Sequence, residues 1–457
     1  MPVHPIEYRY GSNELREIFD IRNKILLMAK VEATLAEVQA EFNIIPKEAA
    51  DAIRKAASEI SYEDVKEEEK ITKHETMALV RALAKKAGPY GEYVHLGVTS
   101  NDIIDTSMAL QIKMAGGIII RRSVELLESI VSRGEEVADI VALGRTHGVV
   151  ADPIPLSFKF AYWSYLVRKS LERFVRSLDE SIMGKISGAV GTMAAMSELT
   201  DIDPQLIQQK VLDKLNLKPA DISTQIVPRD ALANLITTIA TFSSALDTIA
   251  NEIRNLHRTE IGELEEFFEE ESQVGSSTMP HKRNPIRSEK VCGLARIVRS
   301  LSIAALENMV LEHERDLTNS SAERCFVPEA FLLLEEQIMT LTSVIRGLRV
   351  RTDRIKDNLT KYADLSLSER FMIALVKKGV GRQTAHEIIR RISIEAYRSG
   401  KKILDVLRED SQVSKYLTRE EIEILSDPST YIGKGREIAK KEFERAKSFL
   451  AEVLTYE

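Results

Sequence analysis

At 457 residues the chain is long enough for about three domains, and 44% hydrophobic with 29% charged residues is an ordinary globular balance. A formal charge of −7 argues against general affinity for nucleic acid or acidic membranes, so cations that meet an anionic substrate must be clustered locally. Cys292 and Cys325 match neither a zinc spacing nor a disulfide framework, which with the lack of an apolar leader or membrane-length apolar run predicts free thiols and a cytoplasmic location.

In chain order, residues 1–98 carry short helical patterns, the charge run Glu63–Lys73, and two histidines, His74 in KHETMA and His95 in HLGVTSND. From 99 to 354 the apolar period lengthens. Leu156, Phe160, Trp163, Val167, Leu171, Phe174, Leu178 and Ile182 recur at intervals of three and four, and His147 precedes them in GRTHG. Ile239, Phe242, Leu246, Ile249, Ile253 and Leu256 follow within a run free of Pro and Gly from Asp230 to Ile261. That run predicts one helix of roughly 45 Å. Leu334, Ile338, Leu341, Ile345 and Leu348 repeat the pattern. Seams this long predict a helix bundle, with some of them buried against other subunits. Lys356–Leu365 breaks the period, and 355–457 reads as shorter, charged helices. No sustained alternation demands a sheet. The fold class expected is all-α: three helical domains, 1–98, 99–354 and 355–457, around one long bundle.

One loop stands apart from this periodicity. Gly275 to Pro285 reads GSSTMPHKRNP, placing a glycine, three hydroxyls, a histidine, a lysine and an arginine after the acidic run Glu263–Glu271. Consecutive amides outside a helix form a concave nest for an anion, and Lys282 adds a charge beside it. The GxxxxGK[ST] spacing of a phosphate-binding P-loop is absent. So are HExxH, paired His/Cys spacings and EF-hand loops, so no metal and no cofactor is predicted. The histidines are left for acid–base work, for which imidazole titrates at a useful pH.

The GSSxMPxKxNP spelling resembles the signature loop of the fumarase/aspartase superfamily, and HKRNP resembles its adenylosuccinate lyase family. KHETMA, HLGVTSNDIIDT, GRTHGVVADPIP, STQIVPRD, ERDLTNSSAER and SERFMIALVKKGVGRQTAHE resemble segments of that family in the expected order, and Arg9–Tyr10 resembles its N-terminal arginine–tyrosine pair. The resemblance therefore runs along nearly the whole chain. It implies elimination of fumarate from a succinylated purine nucleotide, with Ser276 as general base and His147 as general acid. Ser277, Lys282 and Asn284 are then donors to the carbanion's carboxylate, and Glu289 pairs with site cations. Thr99 and Ser100 hold a succinyl carboxylate. Gln225 contacts substrate, and Arg315, Ser320 and Arg324 supply phosphate-binding groups. His74 and His95 become substrate or phosphate contacts or tune His147, and Lys73, Glu75 and Arg283 adjoin these motifs as further substrate-side residues. A homotetramer with sites shared between subunits is also implied.

Plainer readings stand beside these. TSND is what a helix start looks like. Arg315 and Arg324 suit interhelical salt bridges, and Glu289 suits an exposed helical face. At the level of the whole chain, the alternatives are a carboxymuconate cycloisomerase-like enzyme of the same superfamily and a non-catalytic helical scaffold.

Overall fold

The computed structural model describes residues 2–269, 278–279 and 281–453. The helices are α1 Asn13–Phe19, α2 Ile21–Glu41, α3 Lys47–Glu59, α4 Tyr62–Thr72, α5 Glu75–Ala87, α6 Ser100–Glu136, α7 Leu156–Ser181, α8 Ala194–Leu199 and α9 Pro204–Lys214. After them come α10 Asp230–Leu256, α11 Ile286–Glu307, α12 Thr318–Gly347, α13 Thr352–Ser366, α14 Ser368–Lys377, α15 Arg382–Ser399, α16 Ile403–Glu409, α17 Arg419–Leu425 and α18 Gly435–Val453. The fold is all-α, as expected. Local signals start many of the helices. Ser61 and Asp64 form a reciprocal capping box at α4, as Thr418 and Glu421 do at α17.

The chain divides into two compact units. The first comprises Met1–Ser123, Lys169–Asp247 and Val291–Met339; the second comprises Val124–Arg168, Thr248–Lys290 and Thr340–Glu457. Helices α6, α7, α10, α11 and α12 contribute residues to both. In the first unit, α2, α3, α5 and α9 bury Met28, Ile53, Leu79, Leu83 and Val211 in one core. Gly116 of α6 belongs to the same unit and sets a close helix approach: a Cβ there would lie 2.3 Å from Leu178 of α7. In the second unit, Phe371, Leu375, Ile392 and Val413 form a C-terminal core. Each such side chain contributes about 1.5–3 kcal/mol of burial.

The apolar seams are core, as their period predicts. Phe160, Val167, Leu171, Phe174, Ile239, Phe242, Leu246, Ile249, Ile253, Leu334, Ile338, Leu341 and Ile345 are all fully buried. They are buried within the single chain, however, so these seams are not surfaces left over for other subunits. A second difference concerns α10, which ends at Leu256 rather than Ile261. Residues after it close turns, with Ile261 and Gly262 amides donating to the Arg258 carbonyl. This lets β5, Leu264–Glu265, pair antiparallel with β6, Arg349–Val350.

Two helices also correct the expectation that no apolar stretch reaches membrane length. Ser100–Glu136 and Asp230–Leu256 are long and apolar enough, yet 67% and 61% of their most apolar windows are buried inside the protein. The apolar faces are spent on core packing, as in any thickly buried helix.

Strand content is small among the described residues. Besides β5–β6 there is a parallel two-residue pair, β3 Met183–Gly184 with β4 Lys218–Pro219. The remaining pair is a true hairpin, β1 Val141–Thr146 with β2 Val149–Pro155. Its two-residue loop is His147–Gly148, with φ of 55° and 76°. Positive φ at both central positions is the type I′ geometry that matches strand twist.

Candidate active site

In the first unit, several of the predicted residues lie at the N-terminal end of α6 or on segments braced to it. Asp102, fully buried, accepts hydrogen bonds from the amides of Thr99 (2.8 Å), Ser187 (2.9 Å) and Gly188 (3.1 Å) and from Lys185 Nζ (2.5 Å). TSND is therefore a helix start, but one whose side-chain brace comes from Asp102. The Thr99 and Ser100 hydroxyls make no hydrogen bond among the described residues and remain available to a ligand. His95 stands just before them at φ 64°, its Nδ1 2.6 Å from Glu32 of α2. Burial disfavours the imidazolium, but Glu32, with Asp102 behind it, outweighs burial and holds His95 above its ordinary pKa.

One turn along α6, Asp105 meets Arg229 through two 2.9 Å bonds, and Arg229 Nε also donates to Glu323 at 2.7 Å. The Val227 amide donates to the Asp105 carboxylate at 2.8 Å. Burial alone would raise Asp105, yet Arg229 and the Val227 amide keep it below the usual carboxylate range. This brace fixes the STQIVPRD segment, so that Gln225 Oε1 accepts from Arg315 at 2.9 Å. The Arg315 Nε is buried with no hydrogen-bond partner among the described residues. Burial pulls this guanidinium below its ordinary value, though an arginine stays charged. It is a cation with a donor to spare.

Beside it, a cavity of 270 Å³ is lined by Lys24, Glu75, Gln111, Ser320, Glu323 and Arg324, with apolar walls from α6 and α12. Glu75 bridges Lys24 (2.6 Å) and Arg324 (2.7 Å). The predicted salt-bridge reading of Arg324 thus holds, yet its side chain is 60% exposed and free to turn toward a ligand. Pro328, inside α12, lacks the amide that the Arg324 carbonyl would otherwise receive, which loosens the helix at this wall. Lys73 closes α4 in the left-handed conformation, and His74 caps α5, its Nδ1 accepting from the Met77 amide at 3.3 Å. With Nδ1 acting as acceptor, Nε2 is the donor nitrogen of this exposed residue. Arg9 and Tyr10 lie in the turn after Pro5–Glu7, both amides donating to the Pro5 carbonyl.

In the second unit, His147 is exposed at the tip of the β1–β2 hairpin. Arg145, two residues earlier, anchors β1 by gripping buried Glu263 at 2.6 and 3.1 Å, and Asn358 donates to the same carboxylate at 2.9 Å. A cavity of 940 Å³ in this unit is lined by His257, His281, Lys282, Arg283, Asn284 and Glu289, with Arg254 and Arg351 among further cations. Its loop is held from behind. His257 Nε2 donates to the Arg283 carbonyl at 3.0 Å, and its Nδ1 accepts from the Glu266 amide at 3.3 Å. Glu266 in turn accepts from the Ser288 (2.6 Å) and Arg287 (3.2 Å) amides, placing a carboxylate at the positive end of α11. Glu289, in that first turn, is exposed. Ser276 and Ser277 lie outside the described residues.

Each unit thus brings some of the predicted residues together. His95, Thr99 and Ser100 lie beside the Glu32 and Asp102 supports, and Gln225 and Arg315 pair with each other next to the Asp105–Arg229 brace; Glu75, Ser320 and Arg324 share one cavity; Lys282, Arg283, Asn284 and Glu289 share another. Sequence reasoning missed the residues that hold them: Glu32, Asp102, Asp105, Lys185, Arg229, His257 and Glu266. Three of these were in plain view, Asp102 and Asp105 in TSNDIID and Arg229 in VPRD, because buried charges beside a motif are commonly its supports.

Comparison with known proteins bears on the same segments. Residues 8–299 match the family model described as Lyase, and 364–441 match the one described as Adenylosuccinate lyase C-terminus. An adenylosuccinate lyase of Pyrococcus horikoshii is 46% identical over 446 residues, 97% of this chain and 98% of the relative. Among solved structures, a fumarate lyase from Mesorhizobium sp. BNC1 superposes with a TM-score of 0.87 at 28% identity, covering 97% of this chain and 100% of that one. A 3-carboxy-cis,cis-muconate lactonizing enzyme from Pseudomonas putida superposes with a TM-score of 0.86 at 27% identity, covering 97% and 99%. With the motifs in order from the N-terminal turn to the C-terminal helices and near-complete coverage in both directions, the chain belongs to the adenylosuccinate lyase family.

Proposed function

We propose that the protein eliminates fumarate from adenylosuccinate, giving AMP, and from the succinylcarboxamide ribotide SAICAR, giving AICAR. The observation that carries this reading is the 46% identity, over nearly the full length of both chains, to a relative named for that activity.

The chemistry needs a proton removed from the carbon beside one carboxylate, its electron pair moved into the new C=C bond, and the C–N bond broken as nitrogen accepts a proton. Ser276 takes the first proton and His147 supplies the second. Serine is a weak base, so its alkoxide must be stabilised by amides and a nearby cation. Lys282 and Asn284 supply charge and donors to the carboxylate on which negative charge develops, and Glu289 balances the cations. Thr99 and Ser100, at a helix start, bind a succinyl carboxylate. Arg315, with its spare Nε donor, Ser320 and Arg324 take the phosphate, while Gln225 orients Arg315 and contacts substrate. His74, Lys73, Glu75, Arg283, Arg9 and Tyr10 complete the substrate side.

The reading extends to a cytoplasmic homotetramer in which each site draws on three subunits. Ile297, Ile303, Leu306, Met309 and Val310, 45–80% exposed on one chain, offer apolar surface for such an assembly. Incubating the protein with each nucleotide and identifying the products tests the proposal; AMP and fumarate from adenylosuccinate support it. The solved-structure likeness to a lactonizing enzyme makes 3-carboxymuconate the substrate to run alongside. Turnover of that compound alone would overturn the lyase reading, and no turnover of any superfamily substrate would leave a scaffold.

A further inference from the structure

Glu32 belongs to none of the motifs, yet it is 2% exposed on α2 and its only hydrogen bond among the described residues is to His95. Its Oε1 lies 2.6 Å from His95 Nδ1, while Oε2 is buried without a partner. A carboxylate so placed repels a ring lone pair and requires a proton on Nδ1. In neutral imidazole that leaves Nε2 as a bare acceptor, which would repel an anionic oxygen. Only the imidazolium donates from both nitrogens. His95 Nε2 has no partner among the described residues, and the residue is held in the left-handed region, a conformation a histidine keeps only where its surroundings enforce it.

We propose that Glu32 is a positioning residue for substrate binding: it anchors Nδ1 of His95 and so presents Nε2–H, carried by an imidazolium, to an anionic oxygen of the substrate. This rests on the assignment of His95 as a substrate contact. The charged groups facing His95 are Glu32 from α2 and Asp102 from α6, and Asp102 is already engaged by Lys185. Both acids favour the imidazolium, and burial opposes it. Glu32 is the one in direct contact, so its loss removes the main support for the charge. The arrangement favours a cation beside Thr99 and Ser100 without using a lysine, whose flexible stem would not fix the donor's direction.

The test compares wild type, Glu32→Gln, Glu32→Asp and His95→Gln in the assembled enzyme, with adenylosuccinate as the probe. In Glu32→Gln, KM should rise about tenfold near pH 8 and by progressively less as pH falls toward about 6 and the ring gains its proton, with kcat changed far less. Nitrogen-15 spectra of the histidine rings should show the His95 titration moved to lower pH, with Nε2 unprotonated in the neutral form. Glu32→Asp, which keeps the charge, should recover the wild-type pH profile at least in part. A KM loss equal at both pH values, or an unmoved His95 titration, would overturn the proposal. Should Glu32→Gln fail to fold, the histidine titration in Glu32→Asp and wild type decides, since a carboxylate support predicts a His95 midpoint above that of free imidazole side chains. Should His95→Gln leave KM unchanged, the assignment of His95 itself is lost, an outcome distinct from a His95 that matters but ignores Glu32.

Discussion

Arg229 and Asp105, 124 positions apart in sequence, form a bidentate pair with both N···O distances at 2.9 Å and both side chains less than 5% exposed. The pair joins the start of α6 to the segment that carries Gln225, and Glu323 of α12 completes it. Such a fork satisfies four lone-pair and donor positions at once, which repays part of the desolvation of both charges.

Removing one partner leaves an uncompensated buried charge. Arg229→Met should therefore destabilise the protein by about 3–5 kcal/mol in urea unfolding. Because the folded state depresses the Asp105 pKa, the carboxylate's contribution is fully present above the unfolded value near 4 and is lost as pH falls through the folded value. The wild-type melting temperature should drop with acidification below about pH 4, and Arg229→Met should lose much of that slope. Parallel acid profiles for the two proteins would argue against this linkage.

If Arg315 and Arg324 take the phosphate as proposed, replacing either with Ala should weaken adenylosuccinate by roughly ten- to a hundredfold and its dephosphorylated nucleoside analogue by far less. Inhibition constants for the two ligands measure the difference. Equal losses would return both arginines to structural duty.

Ser276→Ala should leave substrate binding nearly intact while kcat falls at least about a hundredfold, as for loss of a general base. Single-turnover kinetics beside equilibrium binding separate the two. Near-normal kcat would shift the role to Ser277.

Shared sites make a separate claim on assembly. His147→Gln and Ser276→Ala proteins, each inactive, should regain about a quarter of native sites when dissociated and reassembled in equal amounts, since each group comes independently from a competent chain half of the time. If subunits demonstrably exchange and the mixture stays dead, one chain supplies both residues.

Much of this protein could be read from its residues in order. The three- and four-residue recurrence of Phe160, Leu171, Phe242, Ile249 and Leu341 identified buried helix faces because a 3.6-residue period allows little else. KHETMA, HLGVTSND, GRTHG, STQIVPRD, GSSTMPHKRNP and ERDLTNSSAER carry most of the candidate site residues, since each motif is local. What lay beyond reach was set by distance and burial between remote segments. The pairings of Glu32 with His95, Gln225 with Arg315 and Glu75 with Arg324 span 63, 90 and 249 positions, and no local pattern encodes them. Tertiary structure also ended α10 at Leu256, because pairing of Leu264 with Val350 recruits the residues that follow, and it folded His147 into a hairpin turn that the helical period on either side conceals. A chain's own period decides which face is buried; only packing decides against what, and with which charge beside it.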